Sequence, residues 1–195
     1  MTPTILLVRH SNTTYDKKVD ALLDPPLDEE GIERLKRTAK FLHDGAFRYS
    51  RILSSPLQRA LKTASTIDGV HAQVTTHNGL LPWNLGDLMG KSNNIVRAEI
   101  DRLKNYPDLK APHGESYRTF YERWSGFLHK IMQYAEAKSD QAVLLTTHSR
   151  NIDALQSIID GAPVGDVQEL APEASVTLLA KNGVSWSHKI IWEGR

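Results

Sequence analysis

Four consecutive apolar residues, Ile5-Leu6-Leu7-Val8, run straight into Arg9-His10, and the design returns as Ala142-Val143-Leu144-Leu145 before Thr146-Thr147-His148. This pair of runs constrains the fold more than any other feature. A short apolar run without alternation predicts a strand buried on both faces, as in a parallel sheet covered by helices. In open α/β sheets ligands collect beyond the carboxyl ends of such strands. Both histidines are therefore expected to face one crevice.

Helical spacing fills the intervals. Asp28 is placed to cap a helix in which Ile32, Leu35, Ala39 and Leu42 recur. Arg51 to Ser54 reads as a second strand. Ser55-Pro56-Leu57-Gln58 then predicts a helix start, with Ser55 at the N-cap, Pro56 at the first helical position and Gln58 closing a Ser-x-x-Gln capping box. Leu57, Ala60, Leu61, Ala64 and Ile67 supply its buried face, Asp68-Gly69 ends it, and Gln73 to Thr76 is expected to be a third strand. The strongest helix carries Tyr117, Phe120, Tyr121, Trp124, Phe127, Leu128, Ile131, Met132 and Ala135 as one stripe, read as core packing. A further helix with Ile152, Leu155, Ile158 and Ile159 is stopped by Gly161 and Pro163. Ser175 to Trp192 forms two alternating runs around Asn182-Gly183, a hairpin signal. From Gly79 to about His113 the periodicity fails, and that segment reads as an insertion or lid across the sheet's end. The expected fold is a three-layer α/β sandwich: a mainly parallel central sheet flanked by helices, with a C-terminal antiparallel hairpin. The 195 residues suit one domain spanning 1–195, with a lid at about 79–113.

Composition narrows the chemistry. Lys and Arg total 24 against 23 Asp and Glu, a net charge of +1. So balanced a chain offers no global field for nucleic acid or an anionic membrane, and any anion site must be local. The charged stretches Lys17-Lys18 and Glu33 to Arg37 read as solvated faces. Cysteine is absent, which removes disulfides, thiolate nucleophiles and Cys-ligated metals together. Nothing approaches a membrane span, and Ile5 to Val8 is too short for a signal-peptide core, so a cytoplasmic protein is expected.

Arg59 completes the strand-end set. It lies in the first turn of the helix after the second strand, off the apolar stripe, and is free to face the crevice. Two histidines and two arginines beside helix N-termini describe a phosphate site, since guanidinium forks match phosphate oxygens and helix N–H groups add positive charge. A neutral imidazole in that setting can attack phosphorus. Without cysteine, histidine leads as a covalent phosphoryl carrier. His71 and His77 are too isolated to make a metal site, and His43, His129 and His188 lie in helix or hairpin contexts. His113 reads as a loop-surface residue.

These blocks resemble a known family. Leu7-Val8-Arg9-His10-Ser11-Asn12-Thr13 resembles the Arg-His-Gly-x-Thr opening of the histidine phosphatase superfamily, also called phosphoglycerate-mutase-like. Pro26-Leu27-Asp28-Glu29-Glu30-Gly31 is similar to its Pro-Leu-x-x-x-Gly entry to the first helix. Ser55-Pro56-Leu57-Gln58-Arg59-Ala60-Leu61-Lys62-Thr63-Ala64 is similar to its Ser-Pro-Leu-x-Arg-Ala-x-x-Thr-Ala block. Gly114-Glu115-Ser116 and Thr147-His148-Ser149 stand where the family has Gly-Glu-Ser and its second histidine block. The resemblance implies that His10 becomes phosphohistidine and that Arg9, Arg59 and His148 hold the phosphoryl group, with Asn12, Asp16 and Ser149 as further contacts. It implies a small phosphorylated substrate or phosphate as partner, without nucleic acid or membrane, and neither a metal nor an organic cofactor. The oligomeric state stays open, since Trp186 and Trp192 suit either core or interface.

Three departures follow. Ser11 and Ser149 stand where glycine or another small residue is usual. In many members a glutamate in a Leu-x-Glu-x-x-Phe-Gly-x-x-x-Gly block protonates the leaving oxygen, and alignment on Gly86 and Gly90 puts Pro82 there. Asp87 is the substitute expected from the same segment; Glu115 is the second, with a helix-capping role preferred for it. A phosphomonoester hydrolase is the leading expectation. Phosphoglycerate mutase-type transfer and a catalytically weak phosphate-binding module are the alternatives.

Overall fold

The two apolar runs, Ile5 to Val8 and Ala142 to Leu145, form neighbouring parallel strands. The computed structural model describes residues 2–14, 24–68, 74–91, 93–138, 140–161 and 171–195. In it β1 (Thr4–Arg9) pairs with β4 (Ala142–Thr147) from Ile5 opposite Val143 to Arg9 opposite Thr147. Their carboxyl ends are therefore level. β2 (Tyr49–Ser54) lies parallel on the far side of β4 and carries β3 (Val74–Thr76) at the edge. On the other flank β5 (Val176–Asn182) runs antiparallel to β1, and β6 (Ser185–Trp192) returns beside it, giving the order β3-β2-β4-β1-β5-β6. Gly183 takes φ +63° at the hairpin, as an Asn-Gly turn requires.

Strand side chains alternate between two cores, because successive residues point to opposite faces. Ile5, Leu7, Leu53, Val143 and Leu145 pack with Phe120, Trp124, Phe127 and Leu128 of α4 (Tyr117–Ala137). Leu6, Val8, Ile52 and Leu144 pack with Leu35 and Leu42 of α1 (Glu29–Asp44) and Ala64 and Ile67 of α2 (Gln58–Asp68). This is the expected mainly parallel sandwich. Asp28 caps α1, its carboxylate accepting Gly31 N–H. Gly31 is required there: a Cβ would stand 2.4 Å from the carbonyl oxygen of Asn12, which crosses above it.

Three local expectations need correction. Helix α2 starts at Gln58, and the capping box does not form. The Gln58 side chain and N–H both turn to Asp24, whose carboxylate takes the N–H at 2.7 Å; a charged acceptor from 34 residues away outcompetes a local serine. The helix after β4 is two pieces, α5 (Ser149–Asp153) and α6 (Leu155–Asp160), separated at Ala154 with ψ −4°. Gly161 closes α6 in the left-handed conformation. Within 79–113 the chain is more ordered than its composition suggests. Two 3₁₀ turns, Asn78–Leu80 and Gly86–Leu88, precede α3 (Asn93–Asn105), which buries Ile100 and Leu103. The hairpin tryptophans, for which core and interface both stood open, pack on their own chain: Trp192 stacks on Phe41 and donates to Thr38, and Trp186 donates to Glu136. Gly69, His71, Gln73, Pro163 and Lys17-Lys18 lie outside the described residues.

Candidate active site

The level strand ends place His10 beside His148, with ring centroids 5.2 Å apart at 61°. Backbone bonds lock this arrangement: His10 N–H donates to Thr147 O, Ser55 N–H to Thr146 O and His77 N–H to Ser54 O. The His10 Nδ1 lies 2.8 Å from the Ser11 carbonyl. A carbonyl only accepts, so Nδ1 carries the proton and Nε2 keeps its lone pair. Burial, against the opposing Ser11 hydrogen bond and helped by Arg59 and Arg9, pushes the His10 pKa down to about 3. The ring is therefore neutral near pH 7.

His148, at the N-terminus of α5, is 3% exposed. Its Nε2 meets Ser55 Oγ at 2.9 Å, while its Nδ1 is buried with no partner among the described residues. Burial first, then His10 and the arginines Arg59, Arg9 and Arg123, hold its pKa well below the usual imidazole range.

Both arginines reach the same end of the sheet. Arg59 is buried at 8% exposure, and its Nη1 lies 3.1 Å from Asp24 Oδ1. Asp24 thus joins Arg59 to the first turn of α2, where its other oxygen accepts Gln58 N–H. Sequence reasoning missed Asp24, since its partners are 34 and 35 residues away. Arg9 donates through Nη1 to the carbonyl of Ala171 at 2.5 Å, and its Nη2 is 3.6 Å from Glu173 Oε1. Its Nε is buried without a partner among the described residues. Burial lowers the pKa of both guanidinium groups, offset by Glu173 and Asp153 at Arg9 and by Asp24 at Arg59.

The remaining expected residues divide. Asn12 follows on the His10 loop, its Oδ1 3.4 Å from Ser11 Oγ. Ser149 opens α5, next to His148. Asp16 lies outside the described residues. Asp87 sits on the second 3₁₀ turn, and its carboxylate engages His113 Nδ1 at 2.9 Å, not either strand-end histidine. His113 itself has φ +58°, a conformation that costs a non-glycine residue energy.

Glu115 does not cap α4; Ser116 does, accepting Thr119 N–H. The Glu115 carboxylate instead takes Asn84 N–H at 3.0 Å and Arg123 Nη2 at 2.7 Å. Arg123 also donates to the carbonyls of Asn78, Gly79, Leu81 and Pro82. One arginine of α4 thereby ties residues 78–84 beside the end of β4, where Thr147 Oγ1 holds Leu80 O and Asn151 holds Leu81 O. Nothing local in the sequence marks Arg123 as an arginine that collects carbonyls from a distant segment. Among the described residues no group of three or more His, Asp or Glu is arranged to hold a metal ion.

Comparison with known proteins adds the family. The family model described as histidine phosphatase superfamily (branch 1) matches residues 5–191. The uncharacterized phosphatase PhoE of Bacillus subtilis is 29% identical over 160 residues, covering 80% of this chain and 77% of that protein. A 2,3-bisphosphoglycerate-dependent phosphoglycerate mutase of Bartonella henselae is 26% identical over 205 residues, covering 98% of each. Among solved structures, mycobacterial glucosyl-3-phosphoglycerate phosphatase superposes with a TM-score of 0.80 at 22% identity, covering 99% of both chains. YhfR of Bacillus stearothermophilus superposes at 0.75 with 25% identity, covering 98% of this chain and 96% of that one.

Proposed function

The chain belongs to branch 1 of the histidine phosphatase superfamily, and from that premise we propose that it is a phosphomonoester hydrolase working through a phosphohistidine on His10. One observation carries this reading. The His10 Nδ1 is committed to the Ser11 carbonyl, so its Nε2 lone pair is held available beside His148. Nε2 attacks phosphorus as the ester P–O bond breaks and the P–N bond forms. Arg9, Arg59 and His148 take the charge on the equatorial oxygens, and Asn12, Asp16 and Ser149 border the phosphoryl group. With Ser55 donating to His148 Nε2, the buried Nδ1–H becomes a donor for a phosphoryl oxygen. Water then attacks the phosphohistidine, releasing phosphate and restoring the imidazole. The substrate is a small phosphorylated molecule; the similar mycobacterial phosphatase has structures with VO3 and with inorganic phosphate.

Segment 79–113 serves as the lid in this reading, within one domain. Asp87, oriented by His113, supplies the leaving-oxygen proton that Pro82 cannot. No metal or organic cofactor takes part, and the reaction is placed in the cytoplasm. The mutase reading is favoured by the named relatives that match nearly the whole chain. Transfer between 3-phosphoglycerate and its bisphosphate primer, faster than hydrolysis, would establish it instead. The weak-binder reading is favoured by Pro82, and phosphate binding without turnover would establish that.

The test is His10→Ala against wild type, with p-nitrophenyl phosphate at mildly acidic pH. Turnover is expected to vanish while circular dichroism and the melting transition persist. A folded variant with full activity removes the phosphohistidine.

A further inference from the structure

Asp153 is a buried carboxylate that the mechanism above does not use. It closes α5, the five-residue helix that starts beside His148, and its side chain has 0% exposure. A carboxylate so placed needs partners. Its Oδ1 accepts the N–H of Ala171 at 3.2 Å. Its Oδ2 makes no hydrogen bond among the described residues and stands 3.9 Å from Arg150 Nη1. Ala171 is itself buried, and its carbonyl receives Arg9 Nη1 at 2.5 Å. One residue is therefore gripped on its N–H by Asp153 and on its C=O by Arg9.

The grip matters because the two ends of Arg9 are fixed differently. Its backbone is set by pairing opposite Thr147 and by donation to Ser175 O. Its guanidinium depends on Ala171 O, with Glu173 more distant at 3.6 Å and partly exposed. Ala171 belongs to no helix or strand, so no ladder sets where its carbonyl stands. Asp153 supplies that anchor from α5.

We propose that Asp153 is a positioning residue for Arg9, acting through Ala171, so that α5 sets one site histidine directly and one site arginine at second hand. This rests on the phosphohydrolase reading for its consequence, namely that a misplaced Arg9 weakens phosphoryl binding. Asp153→Ala, in the full chain, is expected to raise both KM for p-nitrophenyl phosphate and the phosphate inhibition constant about tenfold, the size of one charged hydrogen bond. Asp153→Asn keeps an acceptor for Ala171 N–H and is expected to recover most of that loss. Asp153→Leu keeps the volume without an acceptor and carries the comparison should the alanine variant not fold.

The decisive measurement is a double-mutant cycle with Arg9→Ala. Once Arg9 is gone, removing the Asp153 acceptor is expected to cost no further phosphate affinity. Additive losses overturn the proposal, and so does an asparagine variant as weak as alanine, which would point to charge and not the hydrogen bond. A wild type that binds phosphate without turnover sinks the hydrolase reading alone, and the cycle then runs on calorimetric phosphate dissociation constants. A wild type that neither turns over nor binds phosphate overturns both.

Discussion

At the scale of single residues, the candidate site works by denying solvent to groups that would otherwise be ordinary. Arg59 is the clearest case. Buried beneath the start of α2, its guanidinium has lost water and gained Asp24 on one edge. A phosphoryl group meeting such an arginine finds a donor fork already oriented and already desolvated, which strengthens the charged hydrogen bonds it makes. Arg59→Ala is accordingly expected to weaken phosphate or vanadate inhibition and lower kcat/KM by roughly 1.5–3 kcal/mol, about 10- to 150-fold. Inhibition constants measured beside wild type check it. An unchanged constant would remove Arg59 from the phosphoryl site and leave it a structural partner of Asp24.

At the scale of elements, local signals carried the parts that are locally determined. β1 and β4 are legible because double burial forbids alternation, and α1 because Asp28, the apolar spacing and Gly31 all lie within one stretch. The strand-end histidines came with the strands. What stayed illegible depends on long-range partners: Asp24 capturing Gln58, Arg123 collecting four carbonyls, Asp153 holding Ala171. The break at Ala154 is announced by neither glycine nor proline.

Segment 79–113 joins both kinds. Gly86, at φ +52°, lets residues 84–87 pass against 112–115, where a Cβ would fall 2.1 Å from Pro112 O. That close passage brings Asp87 to His113. If this pair delivers the leaving-group proton, Asp87→Asn is expected to depress hydrolysis of alkyl phosphates about 10²–10⁴-fold. It should spare p-nitrophenyl phosphate, whose leaving group needs little protonation. The ratio of kcat/KM for aryl over alkyl phosphate, in wild type and variant, is the deciding quantity. A ratio that does not move takes Asp87 out of the reaction.

At the scale of the whole molecule, a site holding neutral imidazoles, His148 buried and His10 half-buried, ties the fold's stability to pH. His10 is held at about 3 in the folded chain against 6.5 for the ordinary group. Between those values the unfolded chain binds a proton that the folded chain refuses, so acid favours unfolding and stability rises with pH through this window. His148 is displaced in the same direction. For His10 the full shift corresponds to about 2–4 kcal/mol once partial solvent access to the ring is allowed for. Asp153 has the opposite sign. Burial, against Ala171 N–H, Arg150 and other nearby cations, raises its pKa from 3.8 to about 6. Here the folded chain binds the proton that the unfolded chain has released, so stability falls as pH rises from about 4 to 6, by roughly 3 kcal/mol. Above that window the whole penalty persists. Two variants separate these slopes. Asp153→Asn is expected to melt higher than wild type at pH 8, with the advantage shrinking on acidification through pH 6 and gone below about pH 4. His10→Asn is expected to flatten the acid side, so that its melting temperature falls less than that of wild type between pH 6.5 and 4. Thermal melts across pH 4–8 for the three proteins decide the matter. Parallel curves would mean that neither group is held away from its ordinary titration, and the proposal of a neutral His10 as nucleophile would fall with them.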